Sequence, residues 1–258
     1  MAAAEGVSVS VVSHGHGGLV GALLADLEAR CRGAIEVLLT INVPEPLPFD
    51  PGAFRFPVRV LANAAPKGFG ANHNAAFRES RHPLFCVLNP DIRLRADPFP
   101  ALAERLKDPA TGVVAPLIRN PAGGIEDSAR PFPNPLLILR KAFSGARGPA
   151  YPIGAEDVHP DWVAGMFMLF RREAFAAVGG FDERYFLYYE DVDLCARLRL
   201  AGMRAVLCPS VEATHDARRQ SHRDLGHFRL HLRSMLRFFA SAPFRRIVCH
   251  HARRGDRR

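Results

Sequence analysis

The stretch VSVSVVSHGHGGLVGALLADLEARCRGAIEVLLTIN, residues 7 to 42, decides the fold class of this chain. It opens with a short β-branched run at 7–14, and apolar residues then recur at helical spacing over 19–31. A second apolar run, 35–42, has the length of a buried strand. A strand, a helix and a second strand in this order predict a parallel βαβ unit.

The same alternation continues along the chain. The pattern predicts further strands at 58–63, 83–91, 112–118, 161–170 and 205–215. It predicts helices at 70–81, 98–107 and 171–180, and another in the stretch 188–202, which ends at Gly202. We therefore predict an α/β fold with a mostly parallel, Rossmann-like sheet flanked by helices. Residues 119–160 are dense in Pro and Gly and predict a loop-rich insertion. The predicted boundaries are a main domain, 1–217, with halves 1–118 and 119–217, and a C-terminal segment, 218–258.

The positive charge is concentrated at the C-terminal end. The chain carries a net +8, but twelve arginines against two aspartates give residues 218–258 a charge of +10, which leaves about −2 elsewhere. The five cysteines are scattered singly without metal-ligand spacing, so we expect reduced, buried thiols. The first residues lack a basic, apolar leader, and no apolar run reaches the roughly 18 residues that cross a bilayer. We expect a cytoplasmic chain without a transmembrane segment.

An amphipathic helix is predicted near the C-terminus. Apolar residues recur at helical spacing from Leu225 to Phe239, with three arginines between them. Such a helix packs on a core with solvated arginines or lies on a membrane surface, and both interpretations stay open. The polybasic residues that follow favour an anionic membrane. The basic block lacks a recognised nucleic-acid-binding module, so we expect no nucleic-acid partner.

The glycine-rich turn after the first strand does not fit a dinucleotide-binding motif. GHGGLV supplies Gly15 and Gly17, but Val20 stands where the third glycine of that motif belongs. The second strand ends at Asn42 and not at an acidic ribose ligand. A different nucleotide can still bind across the carboxyl ends of these strands.

Two separate polar positions suit a divalent cation. Asn89, Pro90 and Asp91 end a predicted strand; the sequence is an ordinary turn signal, but an acid at this edge of a parallel sheet lies where ligands bind. Hard cations shared with a diphosphate prefer such oxygen ligands. His215 ends the last predicted strand, and a lone histidine is usually structural. Imidazole paired with a carboxylate suits manganese as well as magnesium.

Three acids crowd the start of the helix in YYEDVDLCARLRLAG, residues 188 to 202. Acids at a helix N-terminus satisfy free backbone N–H groups, and Asp193 can also pair with Arg197 four residues on. One or two acids are explained in this way. The third carboxylate is then free to act as a general base among the aromatic residues before it.

Taken together, these motifs resemble the family 2 glycosyltransferases of the GT-A fold, particularly their bacterial rhamnosyltransferase-like branch. The segments that carry the resemblance are VSVVSHG, NAAPKGFGANHNAAF, LNPDIRL, GMFMLFRREAFAAVGGFDERYFLYYEDVDLCARLRLAG, and a late histidine followed by RSMLRFF. They run in the family's order from about residue 7 to residue 239. The block RREAFAAVGGFDERYFLYYEDVDLC is long and specific, whereas the others are short. The chain departs from the family at TINVPEP, where relatives show an Asp-Asn or similar pair, and this leaves the choice of nucleotide open.

The resemblance implies roles for particular residues. Asp91 would bind a divalent cation, Mn²⁺ or Mg²⁺, on the donor diphosphate, with His215 completing the metal site, and Asp191 would be the general base. The residues implied to contact the nucleotide sugar are Ser13, Asn42, Gly68, Gly70, Asn74, Asn89 and Asp91, and those implied to contact the acceptor are Trp162, Gly165 and Glu190. The first half of the domain would bind the nucleotide sugar, and the second half the acceptor.

The implied reaction is an inverting, metal-dependent transfer of a sugar from a dTDP- or UDP-sugar, with dTDP-L-rhamnose as one candidate donor. The acceptor would be a hydroxyl of a cell-surface glycan or of its lipid-linked precursor, at the inner face of the cytoplasmic membrane. Two alternatives stay open: a non-catalytic, membrane-associated binding subunit and a sugar-phosphate nucleotidylyltransferase. The latter needs a basic glycine-rich loop after the first strand, and SHGHGGLVG has no arginine or lysine.

Overall fold

Strands and helices alternate through most of the chain. The computed structural model describes residues 6–135, 149–216 and 225–255. The strands are β1 Val7–Ser13, β2 Ile35–Ile41, β3 Val58–Ala62, β4 Leu84–Leu88, β5 Ile92–Leu94, β6 Thr111–Arg119, β7 Ala129–Arg130, β8 Trp162–Val163, β9 Phe167–Arg171 and β10 Arg204–His215. The helices are α1 Gly17–Arg30, α2 Phe69–Glu79, α3 Phe99–Leu106, α4 Arg172–Ala177, α5 Glu190–Leu200, α6 Leu225–Phe239 and α7 Ala242–Gly255, with a 3₁₀ turn at Pro51–Ala53.

Eight strands form one sheet in the order β3-β2-β1-β4-β9-β6-β10-β5. The pairs β1/β2, β1/β4, β2/β3 and β6/β10 are parallel, whereas the pairs made by β9 and β5 are antiparallel. The predicted α/β fold with a mostly parallel sheet is confirmed. Strand β9 lies between β4 and β6, so the two halves predicted to meet at residue 118 share this sheet.

The core forms on both faces of the sheet. Helices α1 and α3 cover one face, and α2, α4, α5, α6 and α7 contribute to the cluster on the other. Strands β1 and β2 are buried along almost their whole length, which accounts for their continuous apolar runs. Several polar side chains inside them are paired: Ser8 Oγ donates to Glu36 at 2.6 Å, and Ser10 Oγ is hydrogen-bonded to His73 Nδ1 at 2.7 Å.

The predicted strand at 161–170 is wrong, because the chain divides it between two sheets. Strand β8 pairs with β7 in a separate two-stranded sheet, and β9 joins the main sheet. Between them the backbone N–H of Ala164 donates to the Ser128 carbonyl oxygen, and that of Gly165 donates to the Asp191 side chain. These hydrogen bonds replace strand pairing. Residues 136–148, part of the predicted insertion, lie outside the described residues, as do 1–5, 217–224 and 256–258.

Two helices end the described chain, where one helix and a basic tail were predicted. Helix α7 follows α6 after a short break and contributes Ile247 to the core. Four cysteines are buried as predicted, but Cys249 on α7 is exposed, which corrects that expectation. Among the described residues, no helix combines the length and apolar character needed to span a membrane.

Candidate functional site

The glycine-rich turn after β1 is filled by a carboxylate of the chain itself. Glu45 accepts hydrogen bonds from the backbone N–H groups of Gly15, at 3.0 Å, and Gly17, at 2.7 Å. Burial disfavours the charge on Glu45, but the hydroxyl of Ser13 and these N–H groups outweigh burial and lower its pKa. The Glu45 carboxylate would repel a diphosphate at this turn, which argues against the dinucleotide and nucleotidylyltransferase interpretations. Ser13 ends β1 at the edge of the sheet where the nucleotide-sugar donor is predicted to bind, which we call the donor edge. Its hydroxyl is hydrogen-bonded to Glu45 and accepts a hydrogen bond from the His16 N–H.

Asn42 is the centre of an amide network at the ends of β2 and β3. Its Oδ1 accepts from the Lys67 N–H at 2.8 Å and from Asn63 Nδ2 at 2.9 Å, while its Nδ2 donates to the Lys67 carbonyl oxygen at 3.0 Å. Asn63 Nδ2 also donates to Asn72 Oδ1 at 2.7 Å. Asn63 and Asn72 were not among the predicted site residues, although the stretch NAAPKGFGANHN is rich in asparagine. In this arrangement Asn42 shapes the loop beside the donor edge.

Three other residues predicted to contact the nucleotide sugar instead support the segment before α5. A Cβ at Gly68 would lie 2.7 Å from the Phe186 carbonyl oxygen, and a Cβ at Gly70 would lie 2.6 Å from Phe181 Cβ. Asn74 Oδ1 accepts from the Phe181 N–H, and its Nδ2 donates to the Phe181 carbonyl oxygen, both at 2.9 Å. These contacts do not support a nucleotide role for Gly68, Gly70 or Asn74, because they give each residue a packing partner.

The fold brings Asp91 and His215 together as predicted. Strand β5 runs antiparallel to β10 with Ile92 opposite His215, and the Asp216 N–H donates to the Asp91 carbonyl oxygen at 2.8 Å. His215 Nε2 lies 3.1 Å from Asp91 Oδ2. The turn interpretation of Asn89–Asp91 is also correct, since the Ile92 N–H donates to the Asn89 carbonyl oxygen at 3.2 Å.

Glu126, which was not among the predicted site residues, completes this group. Its Oε2 lies 2.8 Å from His215 Nδ1, so both ring nitrogens of His215 have a carboxylate partner. Burial disfavours the charged imidazolium, but Asp91 and Glu126 outweigh burial and raise the pKa of His215 to about 9. Glu126 lies inside the segment predicted as a loop-rich insertion, where no periodic pattern marks a functional residue.

The chemistry of this group fits a divalent cation held partly by a substrate. Asp91 Oδ1 is buried and has no hydrogen-bond partner in the described part of the chain, so one carboxylate oxygen is available to a cation. Among the described residues, no group of three or more His, Cys, Asp or Glu side chains is arranged to hold a metal ion by itself. Magnesium-type sites commonly use one or two protein ligands and complete their coordination with phosphate oxygens and water. Asp91 could hold such a cation, and His215 could join it through Nε2 once a bound cation displaces the second ring proton, with Glu126 orienting the imidazole.

Asp191 is held at the first turn of α5 by backbone donors. The Gly165 N–H donates to Asp191 Oδ2 at 2.9 Å, and the Val192 N–H donates to Oδ1 at 2.8 Å. Burial raises the pKa of Asp191, and these N–H groups oppose the increase. A Cβ at Gly165 would lie 3.2 Å from the ring of Phe69, so glycine leaves room for this ring next to the Gly165 backbone. A carboxylate with a raised pKa is suited to accept a proton near neutral pH.

The segment Gly165–Met166 connects Asp191 to the Asp91 turn. Gly165 donates to Asp191, and the next residue, Met166, accepts a hydrogen bond from the Asn89 N–H through its carbonyl oxygen at 2.9 Å. The candidate base and the candidate metal ligands therefore lie at one site, joined through two consecutive residues.

Trp162 and Arg130 lie on the paired strands that lead to this segment. The indole N–H of Trp162 donates to the Pro131 carbonyl oxygen at 3.0 Å, and the guanidinium of Arg130 lies 5.6 Å from the centre of the indole ring. Arg130 also lowers the pKa of Asp191 through its charge, although less than the backbone N–H groups do. Trp162 is partly exposed and lies three residues before Gly165, which is compatible with its predicted role toward the acceptor.

The remaining two acids of α5 have different environments. Glu190 is 5% exposed, and burial, followed by the charge of Asp191, raises its pKa well above the ordinary value. Asp193 is 2% exposed and accepts a hydrogen bond from Arg197 Nε at 2.7 Å. Arg197 also donates to the carbonyl oxygens of Val178 and Gly180, so the predicted i,i+4 pair is confirmed and has a structural role.

The Asp193→Ala substitution is expected to lower the free energy of unfolding by about 3 kcal/mol, because it leaves a largely buried guanidinium without its carboxylate. Urea unfolding measures the change. Arg184→Ala is the matched control: Arg184 also pairs with an aspartate but is 72% exposed, so its loss should cost less than about 1 kcal/mol. Folded Asp193→Ala should retain transfer activity. A stable but inactive variant would contradict the structural assignment of Asp193.

Comparison with known proteins shows the family of this chain. Residues 53–237 match the family described as Glycosyltransferase like family 2. The chain is 32% identical to the N-acetylglucosaminyl-diphospho-decaprenol L-rhamnosyltransferase of Mycobacterium tuberculosis, over 90% of this chain and 83% of the relative. It is 30% identical to the rhamnosyltransferase WbbL of Escherichia coli K12, over 91% of this chain and 92% of the relative.

Solved structures share the fold at low sequence identity. GalNAc-T7 with UDP, GalNAc and Mn²⁺ superposes with a TM-score of 0.71 at 13% identity, over 93% of this chain and 48% of GalNAc-T7. The mannosyltransferase PcManGT of Pyrobaculum calidifontis, in complex with GDP-Man and Mn²⁺, gives a TM-score of 0.60 at 18% identity, over 84% of this chain and 58% of its own. This chain thus spans about half the length of those two structures, and the GT-A type of fold is confirmed. The protein is a glycosyltransferase and belongs to the glycosyltransferase-like family 2.

Proposed function

We propose that the protein transfers a sugar from a nucleotide-sugar donor to a hydroxyl of a lipid-linked acceptor, with inversion at the anomeric carbon. The connection through Gly165–Met166 carries this proposal, because it joins a carboxylate suited to be a base to a group suited to hold a donor diphosphate. The leading donor is dTDP-L-rhamnose, because the mycobacterial and E. coli relatives are rhamnosyltransferases by name. These two relatives align with 90% and 91% of this chain. The name of the mycobacterial relative supports a diphosphate-linked lipid as acceptor.

In the proposed reaction Asp191 accepts the proton of the acceptor hydroxyl as that oxygen attacks the anomeric carbon. The bond from that carbon to the diphosphate oxygen breaks in the same displacement, and the nucleoside diphosphate leaves on the opposite face. Gly165 and Val192 hold the carboxylate through their N–H groups, and Asp91 and His215 would hold Mn²⁺ or Mg²⁺. A bound cation would neutralise the charge that grows on the leaving diphosphate.

A panel of donors and acceptors tests this proposal. The purified protein is incubated with dTDP-L-rhamnose, UDP-GlcNAc, UDP-glucose or GDP-mannose, with Mn²⁺, and with a synthetic short-chain N-acetylglucosaminyl diphospholipid. Release of nucleoside diphosphate and the mass of the product are measured, and NMR of the product gives the anomeric configuration. We expect one donor to be consumed with inversion. Consumption of no donor would support a non-catalytic binding subunit, and retention of configuration would overturn the mechanism.

We also propose that α6 contacts an anionic membrane. Its Phe228, Leu232 and Leu236, spaced four residues apart, are 65%, 39% and 58% exposed and form an exposed apolar row. Arg229 and Arg233 are exposed beside this row. A helix with an apolar face flanked by arginines binds at the interface of an anionic bilayer. The structure therefore favours the membrane-surface interpretation for this face of α6, and the basic charge of the C-terminal segment complements anionic lipid.

The Arg229→Gln/Arg233→Gln variant is expected to bind anionic vesicles about 30-fold more weakly, since each arginine near the surface contributes about 1 kcal/mol. Co-sedimentation with vesicles of phosphatidylcholine and phosphatidylglycerol measures binding. Leu232→Gln should also weaken it, whereas Val60→Gln, which changes a 44% exposed apolar residue on β3, should not. Equal binding of the wild type to neutral and anionic vesicles would contradict the role of the arginines.

A further inference from the structure

The turn that leads into α5 has a backbone conformation that bulky residues rarely adopt. The consecutive residues Tyr188 and Tyr189 have φ angles of +70° and +68°, in the left-handed region that favours glycine. They directly precede Glu190 and Asp191 at the start of the helix. The backbone therefore enters the first turn of α5, which carries Asp191, from this conformation. Such a conformation persists only where the surrounding structure holds it.

Helix α6 forms two hydrogen bonds with this turn. The Tyr188 hydroxyl is hydrogen-bonded to His227 Nδ1 at 3.0 Å. Ser234 Oγ donates to the carbonyl oxygen of Leu187 at 2.8 Å, and Ser234 is 5% exposed. The two hydrogen bonds lie two helical turns apart, so α6 holds both the backbone and a side chain of the turn.

The side chain of Tyr189 packs on the same face of α6. The centre of its ring lies 5.3 Å from that of His231 and 5.8 Å from that of Phe238, which is fully buried. Two residues before Tyr188, the carbonyl oxygen of Phe186 accepts a hydrogen bond from the Phe69 N–H at 2.9 Å. The start of α2 and the inner face of α6 therefore both contact the segment that leads into α5.

We propose that α6 positions the general base: His227 and Ser234 hold the strained Tyr188–Tyr189 turn and thereby direct Asp191 toward Gly165. This inference rests on the proposed function, because it takes Asp191 to be the base. His227 and Ser234 act through the turn and are positioning residues. They lie on a different face of α6 from the exposed apolar row, so mutations can separate base positioning from membrane contact.

The first test removes the hydrogen bonds from α6. With a water-soluble acceptor, His227→Leu/Ser234→Ala is expected to lower kcat by about tenfold to 10²-fold, because the base is displaced from its reacting position. The donor KM and Mn²⁺ affinity should stay within about twofold, since the donor side of the site is unchanged. His227→Gln, which keeps a hydrogen-bonding group, should retain most of kcat. Ser241→Ala is the control, because Ser241 accepts a hydrogen bond from Phe244 at the start of α7 and does not contact the turn.

The second test distinguishes positioning from ordinary packing. Tyr188→Gly and Tyr188→Ala remove the same ring and hydroxyl, but only glycine adopts a positive φ without strain. If the turn conformation directs Asp191, Tyr188→Gly should have a kcat about fivefold or more above that of Tyr188→Ala. A role limited to packing predicts equal activities or a more active Ala variant, since glycine adds backbone entropy to the unfolded state.

The outcomes separate this inference from the proposed function. The positioning role of α6 would be overturned if His227→Leu/Ser234→Ala and the milder Tyr188→Phe both kept the kcat of the wild type. It would also be overturned if Tyr188→Ala were at least as active as Tyr188→Gly. Full activity of Asp191→Asn would instead overturn the choice of base. Circular dichroism and urea unfolding establish that each variant is folded, and Tyr188→Phe, which loses one hydroxyl, serves if the larger changes unfold the chain.

Discussion

Replacing Asp191 with asparagine is expected to lower kcat for sugar transfer by about 10²–10⁴-fold, the usual contribution of a positioned general base. The amide cannot accept the acceptor proton, although it can retain a hydrogen bond from the Gly165 N–H. Donor KM should change little, because Asp191 is not part of the Asp91–His215–Glu126 group. Steady-state kinetics with the donor identified by the panel gives both constants.

Asp108→Asn is the matched control for this prediction. Asp108 is exposed and pairs with Arg204 at the far end of the sheet, so its loss should leave kcat unchanged. The pH profile gives an independent measurement. Burial raises the pKa of Asp191, and only its carboxylate form accepts a proton, so wild-type transfer should decline as the pH falls through that raised pKa. The absence of an acid limb above the ordinary range of an aspartate would contradict the assignment.

Replacing Asp91 with asparagine is expected to weaken Mn²⁺ affinity by more than about 100-fold and to lower kcat/KM by about 10³-fold. The substitution removes the charge of the carboxylate whose Oδ1 is buried without a hydrogen-bond partner in the described chain. Electron paramagnetic resonance of Mn²⁺, titrated in the presence of the nucleoside diphosphate, measures binding without turnover.

Glu126→Gln should have a smaller effect on this affinity, about 10–100-fold, because Glu126 orients the imidazole of His215. Glu212→Gln is the control: Glu212 lies on the same strand as His215 but is exposed and pairs with Arg119. The metal assignment fails if Asp91→Asn binds Mn²⁺ like the wild type. Equal effects of Asp91→Asn and Glu126→Gln would instead place Glu126 among the ligands.

Helix α6 connects three properties of this glycosyltransferase that the sequence presents separately. Its inner face holds the turn before Asp191, its exposed apolar row suits a membrane surface, and its arginines suit anionic lipid. The proposed lipid-linked acceptor would approach from that surface. One rigid helix would then place both the acceptor and the base.

The sequence by itself determined the class of fold and the order of most of the elements. Periodicity is a local property, so the βαβ alternation, the end of β2 before Asn42 and the polar turn Asn89–Asp91 could be read without tertiary information, as could the helix start at Glu190. The pairing of Asp193 with Arg197 was equally predictable, because both residues lie one helical turn apart on α5.

Only the tertiary structure decided which polar residues meet. His215 reaches Asp91 because the short strand β5 pairs antiparallel with β10, and three residues are too few to show a period. Glu126 contacts His215 from a segment without regular patterning. Asn74, which was predicted to contact the nucleotide sugar, is hydrogen-bonded to Phe181. The role of α6 depends on contacts between residues about 40 positions apart, Tyr188 with His227 and Leu187 with Ser234. Such contacts arise from packing of the whole chain, so they cannot be predicted from the local spacing of residues.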